Sequence, residues 1–499
     1  VRPLVGTLLA VALALAACGT DERADTSVTI ARAAGPAELD PALASGSALE
    51  PLWLVYTPLL TYRHAEGERG AELIPGLASD LPEISADRRT YTLHLREGLS
   101  YSDDTPVRAG DFERAITRLR GLDSPGTRFY RGITGIEADD ETGEITIELA
   151  RPDPSFADAL ALPYAAPVPA GTAQRDLTAD PPAGVGPYEI TGIEPDGSYV
   201  LSRSSTFPDL DIPDIPTGNL AEIRVEAGDT PAAAAQDVLD GRLDYMQDRP
   251  PAAIAAAAGD RYRTTAAAAT AAFSLDLDQA PFDDPLVREA VNRGLDRAAL
   301  TGAYEGRMQP GCALLAPGVP GYDRDLDTTD CPYGDPAKPP DLTAARVLVE
   351  QAGARGARVI VSAGADPEAR AVTAAYAAGL SAIGLRPRIE RCASCAQTAF
   401  GVRSPDFPRP AAFFGFGFVD DPFLSGELDR LGSSTDPNPS ADDWGKLDSY
   451  VVSPPQSYVA PLGHPTVATF LSERMDPDSA VVQPVYGNDY SSWQLKEGE

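Results

Sequence analysis

Four consecutive stretches between residues 341 and 391 constrain the fold more than any other part of the chain: DLTAARVLVEQAG, ARVIVSAG, DPEARAVTAAYAAGLSAIG and LRPRIER. The first and third read as helices that stop at Gly353 and Gly384, the second and fourth as strands. Helix, strand, helix, strand with glycine stops is the pattern of α/β units around a largely parallel sheet. Sheets of that kind take ligands at the carboxyl ends of their strands. A related start signal stands in FDDPLVREAVNRGLDR, with Asp284 placed as N-cap and Pro285 as the first helical residue. Val287, Ala290, Val291, Gly294 and Leu295 form its buried stripe, and Asp296-Arg297 reads as a surface charge arrangement at the helix end.

Nearer the N-terminus, RRTYTLHLREGLSYSDDTPVRAGDFERAITRL alternates, with Tyr91, Leu93 and Leu95 facing one way and Thr92, His94 and Arg96 the other. Asp111 is placed as the cap of a helix whose Phe112, Ala115, Ile116 and Leu119 make an apolar stripe. Asp103-Asp104 marks a turn, since Asp104 tolerates left-handed backbone. GVGPYEI, residues 184–190, is a Gly/Pro turn entering a further strand. In FFGFGFVDDPF, residues 413–423, Phe414, Phe416 and Phe418 fall at every second position, one face of a strand with Gly415 and Gly417 on the other. Core and pocket wall are both open readings of that face.

The chain opens VRPLVGTLLAVALALAACGT. Its apolar run is short of the roughly 20 residues that span a bilayer and matches the apolar core of a signal peptide. Leu15-Ala16-Ala17-Cys18 resembles a bacterial lipobox, so residues 1–17 are expected to be a lipoprotein signal peptide, Cys18 the lipidated first residue, and 18–27 a flexible tether. About 480 residues remain, too many for one core, so two or three lobes are expected. Lys and Arg total 41 against 74 Asp and Glu, a net charge of -33 that argues against nucleic acid and anionic lipid as partners. Three scattered histidines give no basis for a metal site, and no cofactor is expected. Four cysteines after Cys18 allow three pairings, and export makes disulfides the default. Cys312 and Cys331 flank a Pro/Gly-rich loop whose closure would stabilise by about 3 kcal/mol on the chain-entropy model. Cys392 and Cys395, with no histidine or second C-x-x-C nearby, are read as a local structural bridge.

Several segments together resemble the family 5 extracellular solute-binding proteins, the peptide and nickel type that serve ABC importers. The run ELDPALASG, YTPLLTY and LIPGLASDLPEISADRRTYTLHLREGLSYSDDTPVRAGDF is similar to the family's N-terminal signature. GVGPYEI is similar to its Gly-x-Gly-Pro-Tyr turn, PFDDPLVREAVNRGLDR to its Asp-Arg helix, and VDDPF to the Asp-Pro after its ligand-facing segment. The resemblance implies a type II periplasmic-binding-protein-like α/β fold: lobe I over residues 28–58, 182–268 and 472–499, an inserted subdomain over 59–181, and lobe II over 269–471. Lobe II is shorter near residues 431–450 than the family pattern.

The resemblance also implies a hinged cleft that closes over ligand. In peptide-binding members an aspartate three positions before the acid of the Asp-Pro pair holds the peptide's α-amine; here that position is Phe418. The candidate ligand-binding residues are therefore Ser45 and Ser47 of the ALASGS loop, Tyr188, Phe416, Phe418 and, as a substitute anchor, Asp420. The implied function is a lipid-anchored, extracytoplasmic, monomeric substrate-binding protein that passes a peptide or similar small organic solute to ABC permease subunits. A ligand receptor without a transport role on the same scaffold is the alternative. A secreted hydrolase is the remote one, because the chain has no G-x-S-x-G, H-E-x-x-H or S-x-x-K.

Overall fold

The computed structural model describes residues 26–33, 38–46, 49–228, 230–304, 306–392, 394–416, 421–436 and 438–496. Two α/β lobes carry most of the chain. The first is built on a five-stranded sheet in the order Tyr245–Met246, Ser27–Arg32, Glu222–Ala227, Tyr199–Arg203, Tyr188–Ile193. The strand Ser27–Arg32 runs parallel to both its neighbours, and the remaining pairs are antiparallel.

A second sheet, which the second lobe shares with the strands leading into it, has seven strands, Tyr262–Ala266, Val459–Phe470, Thr270–Leu275, Thr398–Arg403, Arg358–Ser362 and Arg386–Glu390 in order, with Met308–Pro310 also on Val459–Phe470. Arg358–Ser362 pairs parallel with Arg386–Glu390 and Thr398–Arg403, as the helix–strand–helix–strand run predicts. The other pairs are antiparallel, so the expected largely parallel sheet is a mixed one. The physical reason lies in the connections: antiparallel neighbours need no crossover helix, and Val459–Phe470 runs back toward the first lobe instead of returning over its own sheet.

A four-stranded antiparallel layer, Glu83–Ile84, Thr90–His94, Glu144–Leu149 and Ile133–Ala138, packs with the helix Ala109–Gly121 into one core. Tyr91 and Leu93 are buried and His94 is exposed, as alternation requires. Phe112, Ala115, Ile116 and Leu119 are buried as predicted, but the helix begins earlier than expected. Arg108 is its N-cap; Asp111 sits at the third helical position, where its carboxylate accepts from the Arg108 amide and the Tyr101 hydroxyl, each at 3.0 Å. A carboxylate there caps by folding back, which sequence spacing does not distinguish from an N-cap. Asp284 caps Pro285–Gly294 as expected, and Asp104 is left-handed with φ 63°.

The turn at residues 184–188 shows why its glycines are glycines. A Cβ on Gly184 or Gly186 would stand 2.2 Å from the Val55 carbonyl oxygen or 2.3 Å from that of Leu54, so the backbone of residues 54–55 fits only where both side chains are absent. Arg297 is the opposite of the surface charge expected. It is buried, donating to the carbonyls of Gly311 and Pro461 and to both Asn292 oxygens, and burial pushes it down to about 10. Five donors on one planar fork let it tie three segments together. Cys312 pairs with Cys331, and Cys392 with Cys395.

Two buried ionic ties matter for stability. Asp40 takes both terminal nitrogens of Arg118, at 2.7 and 2.6 Å, and the Leu177 amide at 2.9 Å. Removing one member of such a pair leaves a buried charge and costs about 3–5 kcal/mol, whereas replacing both by apolar groups costs far less. Asp40→Ala is thus expected to lower unfolding free energy by that amount in urea titrations, and Asp40→Leu/Arg118→Met to recover most of it. In the second tie, His464 Nε2 stands 3.2 Å from Asp327 Oδ2. Burial alone pushes Asp327 up and His464 down. Their mutual attraction, with the Ala313 amide and Tyr322 hydroxyl on Asp327, outweighs it and leaves Asp327 below its ordinary 3.8 and His464 above 6.5. Asp327's share of stability is present above 3.8 and lost as pH falls through its lowered pKa; His464's is present below 6.5 and lost as pH rises through its raised one. Urea titrations from pH 5.5 to 8.5 should show that alkaline loss in the native chain and not in His464→Asn.

Candidate functional site: a cavity on the interlobe strands

The strand Val459–Phe470 belongs to both lobes. Val459, Ala460 and Leu462 lie in second-lobe cores, Phe470 packs with Ala31 and Met246 of the first, and Leu471 bridges to Tyr245. Between them Pro465–Ala468 is only partly buried, paired with the equally half-buried Tyr262–Ala266. These two strands carry the chain between lobes.

Against them lies a cavity of about 760 Å³. Thr265, Ala266, Thr466 and Val467 form its floor; Pro317 and Gly318 come from the second lobe. The first lobe contributes Glu50, Tyr245, Gln247, Arg249 and the C-terminal hairpin around Gly487. The size is that of a small-molecule site, and its lining mixes apolar residues with polar and charged ones. Arg249 is held by the Tyr262 hydroxyl at 2.8 Å and by the carbonyl and hydroxyl of Thr466 at 2.8 and 2.9 Å, so it clamps the interlobe strand from the first lobe. Glu50 accepts from the Asn488 amide at 2.6 Å, the Tyr490 hydroxyl at 2.5 Å and Gln247 Nε2 at 3.1 Å. Burial pushes Glu50 up to about 7, with those hydrogen bonds pulling partly the other way.

The sequence-derived candidates fall elsewhere. Tyr188 is corrected to a core residue: it is buried, and its hydroxyl donates to the Leu220 carbonyl at 3.1 Å. Ser45 is exposed, and both its amide and its hydroxyl are on the Glu38 carboxylate at 2.9 Å, which uses the donors meant for a ligand. The aromatic stripe is not a strand where it is described: Pro410–Phe414 is a 3-10 helix, with Phe413 and Phe414 both buried beside Trp444. Proline favours the first position of a helical turn, and period-two spacing over three aromatics does not exclude one. Phe416 is half-buried with the Arg403 guanidinium 5.2 Å over its ring. Ser47, Phe418, Asp420 and Cys18 lie outside the described residues. Glu50, Gln247 and Arg249 were missed because no local pattern marks them; they meet through contacts between distant segments. Among the described residues no group of three or more His, Cys, Asp or Glu is placed to hold a metal.

The layer containing residues 60–165 also touches the second lobe directly, at Arg409 and Asn438. Asp158, buried, accepts from the Tyr62 hydroxyl at 2.7 Å and from Arg409 Nε at 2.6 Å, while Arg409 also donates to the Asp436 carbonyl. Asn438 pairs with both the amide and the carbonyl of Leu73 at 2.9 and 3.1 Å, as a strand neighbour would.

The model of the bacterial extracellular solute-binding proteins, family 5 Middle, matches residues 72–409, and the chain belongs to that family. It is 27% identical over 281 residues to the glutathione-binding protein GsiB of Escherichia coli, covering 54% of this chain and 51% of that protein. To the oligopeptide-binding protein OppA of Bacillus subtilis it is 24% identical over 360 residues, 64% of each. The chain spans about half the length of the first curated relatives it matches. The solved structure of clavulanic acid biosynthesis oligopeptide binding protein 2 superimposes with a TM-score of 0.75 at 23% identity, covering 95% of this chain and 96% of that one. That likeness shows the two-lobed α/β fold.

Arg409→Met is expected to loosen the contact between the inserted layer and the second lobe. Hydrogen exchange should quicken at residues 60–73 and 404–416 by at least about tenfold while the five-stranded sheet stays protected, the response of a local opening and not of global unfolding.

Proposed function

We propose that this chain captures a peptide or similar small organic solute outside the cytoplasm and delivers it to the membrane subunits of an ABC importer. The observation that carries the reading is the cavity laid on the two interlobe strands with walls from both lobes. A solute held there touches both bodies at once, so it binds best when they are closed. Closure is then a population shift set by the difference in affinity between closed and open states, about 1.4 kcal/mol for each tenfold. The relatives named for glutathione and oligopeptides support a peptide-like solute.

Residues 28–58, 182–268 and 472–499 form lobe I in this reading, 59–181 the inserted subdomain and 269–471 lobe II. The protein works as a monomer tethered by lipid on Cys18. No helix among the described residues is long and apolar enough to cross a membrane. The role is binding and delivery, with no chemical step.

The test is mass spectrometry of what co-purifies with the chain expressed without residues 1–18, followed by calorimetry of the compound found. One small organic molecule bound at one per chain is expected, raising unfolding free energy by about 2.7 kcal/mol at a hundredfold excess over its Kd. A chain that retains nothing and is stabilised by no peptide or small-solute pool would contradict the reading.

A further inference from the structure

We propose that Glu50 is the cation anchor of the interlobe cavity, receiving a primary ammonium group of the solute. The proposal rests on the solute-binding reading above and names the chemistry of one end of that solute.

Three observations lead to Glu50. First, its donors are all neutral: the Tyr490 hydroxyl and the Gln247 side chain on Oε2, the Asn488 side chain, and the Asn488 amide on Oε1. Second, the residue beside that oxygen is Gly487, at φ +84°, where a Cβ would stand 2.9 Å from Oε1. Its absence leaves the atom uncovered on the cavity wall. Third, the other carboxylate of the cavity has a cation: Glu66 is 3.2 Å from Arg263 and accepts the Val482 amide, while Arg249 is tied to Tyr262 and Thr466 and not to Glu50. No salt bridge reaches Glu50 among the described residues.

A desolvated carboxylate with neutral partners only is the costly arrangement that a mobile cation relieves.

An ammonium binds the ionised form, so binding must displace the proton that burial favours on Glu50. The neighbouring titratable groups are Tyr490, Tyr245 and Tyr199, which stay neutral because burial raises all three, together with Glu66, Arg249, Asp248 and the Asp489–His64 pair. Histidine is the other residue type that changes charge near neutrality. With Glu50 at about 7, the ionised fraction falls about fiftyfold from pH 7 to pH 5, a range in which a peptide amine stays protonated.

The full chain and its Glu50→Gln variant are each mixed with a pool of random tripeptides bearing free amino termini, with the same pool N-acetylated, and with putrescine. Retained molecules are quantified by native mass spectrometry at pH 7 and pH 5. The native chain should hold free-amine tripeptides at least about thirtyfold better than acetylated ones, and Glu50→Gln should lose that preference at an unchanged unfolding temperature. Affinity in the native chain alone should drop about fiftyfold at pH 5. Retention of putrescine in place of tripeptides, lost in the variant, supports the anchor with a polyamine as the source of the ammonium. Should Glu50→Gln fail to fold, Glu50→Asp takes its place and must keep the free-amine preference. The proposal is overturned by equal retention of acetylated peptides, by undiminished amine binding in Glu50→Gln, or by retention of no amine at all. A co-purified solute without an amine sinks the anchor and leaves the solute-binding reading standing.

Discussion

The strand Val459–Phe470 is hydrogen-bonded into the seven-stranded sheet and ends packed into a core of the first lobe, and the location of the cavity depends on that sharing. Its first residues are locked by Thr270–Leu275 and Met308–Pro310, and its last five, Thr466–Phe470, pair with Tyr262–Ala266. A strand fixed at both ends by ladders and cores can give only in between, at the partly buried Pro465–Ala468. Proline at 465 lacks an amide to pair, which weakens the ladder there. The cavity lies against this same stretch, where the proposed closure would turn one lobe against the other.

The buried acids divide by partner, and the division separates architecture from recognition. Asp40 has Arg118, Asp158 has Arg409, Asp327 has His464 and Asp489 has His64 at 2.6 Å. Among the described residues Glu50 and Asp448 make no salt bridge, and burial pushes each up to about 7, with His464 pulling Asp448 partly the other way. Their surroundings differ. Asp448 has one oxygen on the Leu314 amide and the other on the Leu315 amide, deep in the second lobe, where it fixes the chain after the Cys312 bridge. Glu50 lines the cavity. Two groups with the same electrostatic history therefore carry different expectations, decided by what each carboxylate faces.

What could be read from the sequence was what is written locally. The glycine-stopped helices and their strands, the Asp284 cap, the alternation around Tyr91 and Leu93 and the left-handed Asp104 each depend on residues within a few positions of one another. The aromatic run at 413–418 carried a local pattern that fitted two structures, and Pro410 tipped its described part into a helical turn with adjacent phenylalanines pointing into one core. Arg297 looked like surface charge because nothing nearby reveals that Gly311 and Pro461 converge on it. The cavity was illegible for the same reason carried further. Glu50 meets Tyr490 across 440 positions and Gln247 across 197, and no window of sequence contains such a contact.

The central claim is that two lobes turn about the middle of one strand and close on a solute between them. The most direct measurement places spin labels at Leu81 in the inserted layer and Val347 in the second lobe, both exposed, and reads their distance by pulsed electron resonance with and without the co-purified solute. The account predicts a broad distribution that collapses to a shorter, narrower one when the solute is bound. An identical distribution with the solute bound at saturation would contradict it.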